Sequence, residues 1–248
     1  MLIFCNKFFA ASNHLCYTRG MNLELCDFCA QTEKSEILHD INFSIPTNST
    51  ILLTGANGAG KSTILRGIMG LGGLNYSGKI FVDNKDISKS SIDERARLGI
   101  FMSFQDPVAI EGLSLIEAIR SALEARGEKL ALSAVKVRIN DALEKVGLSP
   151  FIASRELNHK LSGGEKKKCE IAQMLVLRPK LVLLDEIDSG LDTKSCKNIS
   201  GILRDYQKET GASFIIVSHN LRILSELQPN QELVVEDGRI VKKWVFRA

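Results

Sequence analysis

The chain has 248 residues, 44% hydrophobic and 25% charged, the ordinary composition of a globular protein, which excludes low-complexity, collagen-like and coiled-coil classes. A chain of this length buries about 70–75% of its unfolded surface and needs no covalent staples to hold a core. Thirty-two Lys and Arg against 29 Asp and Glu leave a net charge of +3, too small to argue for a nucleic-acid or membrane-surface protein. Purely apolar runs such as Leu181–Leu184 and Phe214–Val217 are four residues long, far short of the roughly 20 that cross a bilayer. The six cysteines lack disulfide-framework spacing, which fits a reducing, cytoplasmic compartment.

In chain order, residues 1–20 carry Lys7 and Arg19, no acid and an interrupted apolar stretch, and read as a disordered extension or an upstream start ahead of Met21, with a weak export signal or organelle-type presequence as the alternative. From residue 21 to 248 strands alternate with helices, the pattern of an α/β fold with a mostly parallel sheet. Leu23, Leu25 and Ile41–Ile45 read as strands. Thr50–Leu53 is a buried strand running into a glycine-rich turn and then a helix from near Ser62. Lys79–Asp83 and Gly99–Phe104 are further strands. Helical periodicity over residues 114–157, with Leu115, Ile116, Ile119 and Leu123 on one face, predicts an inserted helical subdomain over about 106–160. Leu181–Asp185 and Ser213–Ser218 return to strand, each followed by a helix. Gln231–Glu236 and Arg239–Phe246 read as a closing hairpin around Asp237–Gly238. Cys26 and Cys29 invite a metal reading, but residues three apart on a regular strand face opposite sides, about 10 Å apart.

Gly55-Ala56-Asn57-Gly58-Ala59-Gly60-Lys61-Ser62 matches G-x-x-x-x-G-K-[ST] between a strand and a helix. Glycines let successive N–H groups point inward at phosphates. The helix start, including Thr63, adds partial positive charge, Lys61 a full one, and the Ser62 hydroxyl suits Mg²⁺. Leu181–Leu184 ends in Asp185 and Glu186. An acid at the end of a buried strand is costly unless it serves a cation, so Asp185 suits Mg²⁺ and Glu186 suits polarisation of an attacking water. Ser162-Gly163-Gly164-Glu165 is a capping box opening the helix Glu165–Leu177, whose free N–H groups suit a γ-phosphate.

The P-loop, Gln105 after a strand, Leu161–Glu165, Leu183–Glu186, Ser189–Asp192 and His219 occur in one order. This series resembles the ABC-type ATPase cassette over about residues 21–245. The resemblance implies an ATPase using ATP and Mg²⁺, with a mostly parallel core, an antiparallel part and the helical insertion. It implies that Gln105 joins Mg²⁺ and water to the insertion, that His219 contacts the γ-phosphate, and that Asp192 works across a dimer interface. A second copy of the chain is then the partner in the ATP state, since one P-loop and one Ser162 helix occur per chain.

Gly164–Lys168, Asp185–Asp192 and Phe104–Gly112 further resemble the Suf-system iron–sulfur cluster assembly ATPase. Transporter cassettes commonly carry Pro-Thr where Ile187-Asp188 stand here. That resemblance implies soluble Suf scaffold proteins as partners. The alternative is the nucleotide-binding subunit of a membrane transporter, with a membrane subunit as partner. No aromatic residue lies between Phe28 and Phe43 to stack a nucleobase.

Overall fold

The computed structural model describes residues 20–218 and 227–246. Its elements, in order, are strands β1 (Leu23–Gln31), β2 (Glu36–Ile45) and β3 (Thr50–Thr54), helix α1 (Lys61–Met69), β4 (Asn75–Val82), β5 (Lys85–Asp86), α2 (Ile92–Leu98), β6 (Ile100–Ser103) and β7 (Ile110–Ser114). There follow α3 (Leu115–Ala125), α4 (Leu132–Lys145), a 3₁₀ turn (Pro150–Ser154), β8 (Glu156–Leu157), α5 (Gly163–Leu177), β9 (Leu181–Asp185), α6 (Thr193–Thr210), β10 (Ser213–Val217), β11 (Gln231–Glu236) and β12 (Arg239–Val245).

A six-stranded sheet in the order β12-β11-β3-β10-β9-β6 forms the centre, and a four-stranded sheet β2-β1-β4-β5 lies beside it. Strands β11, β3, β10, β9 and β6 pair in parallel, and β12 closes the edge antiparallel to β11. Parallel strands covered on both faces read as unbroken apolar runs. Their side chains alternate between two cores: Leu181, Leu183, Ile215 and Val217 face the cluster that contains α1 and the antiparallel sheet. Val182, Leu184, Phe214 and Ile216 face the cluster built with α3, α4, α5 and α6. The α/β cassette architecture expected from the sequence is therefore what the chain adopts.

Three expectations need correction. The stretch read as continuously helical over 114–157 is broken: β7 and β8 pair as a short antiparallel ribbon, so Glu156 and Leu157 are strand. Alternation in so short a strand leaves no periodic trace. Gly20, assigned to the extension, is buried, and a side chain there would strike the Gly211 carbonyl; residues 1–19 lie outside the described residues. Strand β1 is also not regular. Asp27 has φ +48° and the pairing with β4 slips between Cys26 and Cys29, so a β-bulge flips the alternation. Leu25 and Phe28 are both buried, and Cys26 and Cys29 fall on the same, partly exposed side.

Candidate active site

The P-loop is a turn made by glycine conformations. Gly55, Gly58 and Gly60 have φ of +137°, +83° and +106°, a region that side chains strain to enter. A Cβ at Gly55 would lie 2.0 Å from the Val235 carbonyl oxygen, so β11 fixes the loop's entry. The hairpin tip fixes its exit, because the Gly238 N–H donates to the Ala59 carbonyl at 3.0 Å. Ala56, Asn57 and Gly58 are exposed along the rim, and Ala59 and Gly60 are buried beneath it. Lys61, only 5% exposed, opens α1 and donates to the carbonyls of Gly55 and Ala56, both at 2.8 Å. Ser62 and Thr63 follow in the first turn of α1.

Strand β9 delivers Asp185 to the start of α1, with Glu186 just beyond the strand. Asp185 accepts from the Ser62 hydroxyl at 3.0 Å, and its N–H donates to the Ser103 hydroxyl at 3.3 Å. Burial pushes its carboxyl above the ordinary range, and the Ser62 bond pulls the other way. Glu186 leaves the strand with φ +48°, a conformation of the kind held only when its surroundings over-determine it. Its carboxylate accepts from Gln105 Nε2 at 2.9 Å. Ser62, Asp185, Glu186 and Gln105, spread over 124 positions of sequence from Ser62 to Glu186, are thus linked in two hydrogen-bonded pairs. The Ser62 hydroxyl, the Asp185 carboxylate and the Gln105 amide oxygen are hard oxygen donors, a set that fits Mg²⁺ rather than a soft metal.

The remaining motif lies apart. Ser162 caps α5: its hydroxyl accepts from Glu165 N–H at 3.3 Å and Glu165 returns the bond to Ser162 N–H at 2.9 Å. Among the described residues no hydrogen bond joins Ser162, Gly163 or Gly164 to the P-loop. Gly164 instead packs on the next motif, where an added Cβ would sit 2.9 Å from the Gly190 carbonyl oxygen. Asp192 caps α6, accepting from Ser195 N–H at 2.7 Å, and that bond holds its carboxyl below the usual range. His219, and the helix expected after β10, lie outside the described residues. Phe28 is 2% exposed and stacked on Tyr76 at 5.6 Å, which removes it from reach of a nucleobase.

Sequence reading missed the roles of Ser103, Gly238 and Glu170, and the run Lys166–Lys168, which reads as a solvated helix face, holds Lys167 only 2% exposed. Lys167 and Glu170 grip the Phe104 backbone beside Gln105. No motif marks Ser103, and the Asp237–Gly238 turn marks Gly238 only as a hairpin tip, but a lysine and a glutamate at positions 167 and 170, within a helix whose other inward residues are apolar, form a readable signal.

A glycine loop wrapped by a buried lysine, followed in space by a serine–aspartate pair and a glutamine–glutamate pair, defines a P-loop nucleoside-triphosphate hydrolase. The model of the family described as ABC transporter matches residues 38–189, and the chain belongs to that family of ATPases. A probable ABC transporter ATP-binding protein of Streptococcus pyogenes serotype M3 is 38% identical over 226 residues, 88% of this chain and 87% of the relative. The vegetative protein 296 of Bacillus subtilis is 35% identical, covering 89% and 85%. The probable ATP-dependent transporter ycf16 of Cyanidium caldarium is 34% identical, covering 89% and 87%. Among solved structures, an ATP-binding cassette in a dimeric post-hydrolysis state with ADP and phosphate has a TM-score of 0.80 at 22% identity, covering 91% of this chain and 99% of the other. A transporter subunit of Clostridium perfringens from the cbiONQ complex has a TM-score of 0.69 at 30% identity, covering 89% and 87%.

Proposed function

We propose that this ATPase works as an ATP-dependent dimer that drives a separate partner protein. The supporting observation is that Ser62 with Asp185 and Gln105 with Glu186 are hydrogen-bonded pairs within the chain, while Ser162 and Gly163, which open α5, are exposed. In this reading Gly55–Thr63 and Lys61 hold the β- and γ-phosphates. Ser162, Gly163 and Gly164 of a second copy meet the γ-phosphate from the opposite face, which stabilises charge on the departing phosphoryl group from both sides. Ser62, Asp185 and Gln105 hold Mg²⁺, which when bound neutralises phosphate charge. Glu186 accepts the proton of the attacking water, His219 contacts the γ-phosphate, and Asp192 lies at the copy–copy interface.

The partner is read from two sides. The relatives' names support a membrane subunit of a transporter, with this chain at the cytoplasmic face; among the described residues no helix is long and apolar enough to cross a membrane. A second reading, a soluble iron–sulfur cluster assembly scaffold, has its own support. Ile187, standing where transporter cassettes commonly have Pro, is fully buried in the helical-side core, so this departure is built into the packing. Either partner has an apolar cleft of about 250 Å³ to use, lined by Leu71, Ile92, Ala96, Phe101 and Phe104, directly beside Gln105.

The test is capture of bound proteins on the tagged chain in mild detergent with ATP and Mg²⁺. A polytopic membrane protein supports the transporter reading and a soluble scaffold pair the other. Recovery of the chain alone, with turnover linear in its concentration, overturns the partner-driven dimer.

A further inference from the structure

Two charged side chains of α5 are buried where phosphate and water have no use for them. Lys167 is 2% exposed and Glu170 4%, and at a spacing of three they share one face of the helix. Glu170 Oε1 accepts from the Phe104 N–H at 2.9 Å, and its other oxygen, Oε2, is buried with no partner. Lys167 Nζ donates to the Phe104 carbonyl and, at 3.3 Å, to the Asp185 carbonyl. The Phe104 side chain is itself exposed, so α5 grips the backbone and not the ring.

Burying an ammonium and a carboxyl costs stability, and an unpaired oxygen adds to that cost. Apolar residues at 167 and 170 would pack α5 against β6 without it. The position of the two carbonyls accounts for the choice. Phe104 immediately precedes Gln105, and Asp185 immediately precedes Glu186. One ammonium therefore pins together the two backbone positions from which the hydrogen-bonded Gln105 and Glu186 side chains emerge, 2.9 Å apart at their tips. Glu170 holds the other polar group of Phe104 and lies one helical turn from Lys167.

We infer that Lys167 and Glu170 are positioning residues that set the reach of Gln105 towards Glu186 by clamping the Phe104 backbone. The inference rests on the reading of Gln105 given under the proposed function. Neither side chain touches the reacting atoms; both act through the Phe104 backbone. Ground-state binding of nucleotide, which belongs to the P-loop on the far side of Asp185, is left alone.

The experiment measures kcat and KM for ATP hydrolysis with Mg²⁺ in Lys167→Met, Glu170→Ala, Glu170→Gln and Gln105→Ala, and in Glu170→Ala combined with Gln105→Ala. Misplacing a catalytic group by an ångström costs on the order of 100-fold, so Lys167→Met and Glu170→Ala should lower kcat by about 10- to 100-fold with KM unchanged. Glu170→Gln, which keeps an acceptor for the Phe104 N–H, should recover most of the loss. The double variant should be no slower than Gln105→Ala alone, because both changes remove the same placement. If Gln105→Ala turns over at the parental rate, the reading of Gln105 falls and the clamp falls with it. If Gln105→Ala is slow while Glu170→Ala and Lys167→Met are not, or if the losses multiply in the double variant, the clamp alone is overturned. Should Lys167→Met fail to fold, the Glu170 series decides the matter by itself.

Discussion

Replacing Glu186 by Gln separates nucleotide binding from hydrolysis. The side chain keeps its length, and its amide oxygen still accepts from Gln105 Nε2, so the 2.9 Å bond survives. Lys61 and its bonds to Gly55 and Ala56 are untouched. On the role proposed for Glu186, what is lost is the charge that takes a proton from water. A positioned base contributes about 10²–10⁴-fold, so turnover should fall by that factor, which is roughly 2.7–5.5 kcal/mol in the barrier. The variant should still bind ATP and accumulate as a nucleotide-trapped dimer. Phosphate release reports the first effect; gel filtration with ATP and Mg²⁺ reports the second. The Ala variant is the weaker probe, because it also frees Gln105. Hydrolysis by Glu186→Gln within threefold of the parental rate, about 0.6 kcal/mol, would refute the assignment of Glu186 as base.

Lys61→Ala should abolish hydrolysis and sharply weaken nucleotide binding, measured by calorimetric titration, because a buried cation bonded across the loop at 2.8 Å is removed. Mixing inactive Lys61→Ala with inactive Ser162→Arg chains should restore about a quarter of parental activity, since half the dimers are mixed and each mixed dimer has one intact site of two; no recovery would mean the sites are not shared. Burial pushes the Glu170 carboxyl from its ordinary value of 4.5 up to about 7. The fold therefore favours the protonated form: its contribution is full below the ordinary value and is lost as pH rises through about 7. Relative to Glu170→Gln, the parental protein should lose up to roughly 3 kcal/mol of stability across that window, read by chemical denaturation.

The P-loop was legible because its requirements are local: glycine conformations, a lysine and a hydroxyl within eight residues, ahead of a helix. The apolar runs of β9 and β10 were legible because both faces of the sheet are covered. The capping box at Ser162 was legible because its two bonds span three residues. The Asp27 bulge was not, since a single residue shifts the phase of an otherwise alternating strand and any residue tolerant of positive φ can do it. The paired strands β7 and β8 were hidden for a different reason. Their register is set by tertiary packing of the helices around them, and Glu156–Leu157 carries no pattern of its own. The grip on Phe104 joins residues more than 60 positions apart, and no spacing rule encodes such a contact.

The packing of Gly164 on Gly190 limits how the molecule can move. With 2.9 Å between a hypothetical methyl group and the Gly190 oxygen, the start of α5 and the turn leading to Asp192 touch backbone to backbone, with no side chain between them to act as a cushion. An added side chain at position 164 would therefore force the two segments apart. Asp192 stands two residues beyond that contact, at the head of α6. In the dimer proposed above, a displacement at the glycines is therefore passed to the head of α6, a helix of 18 residues.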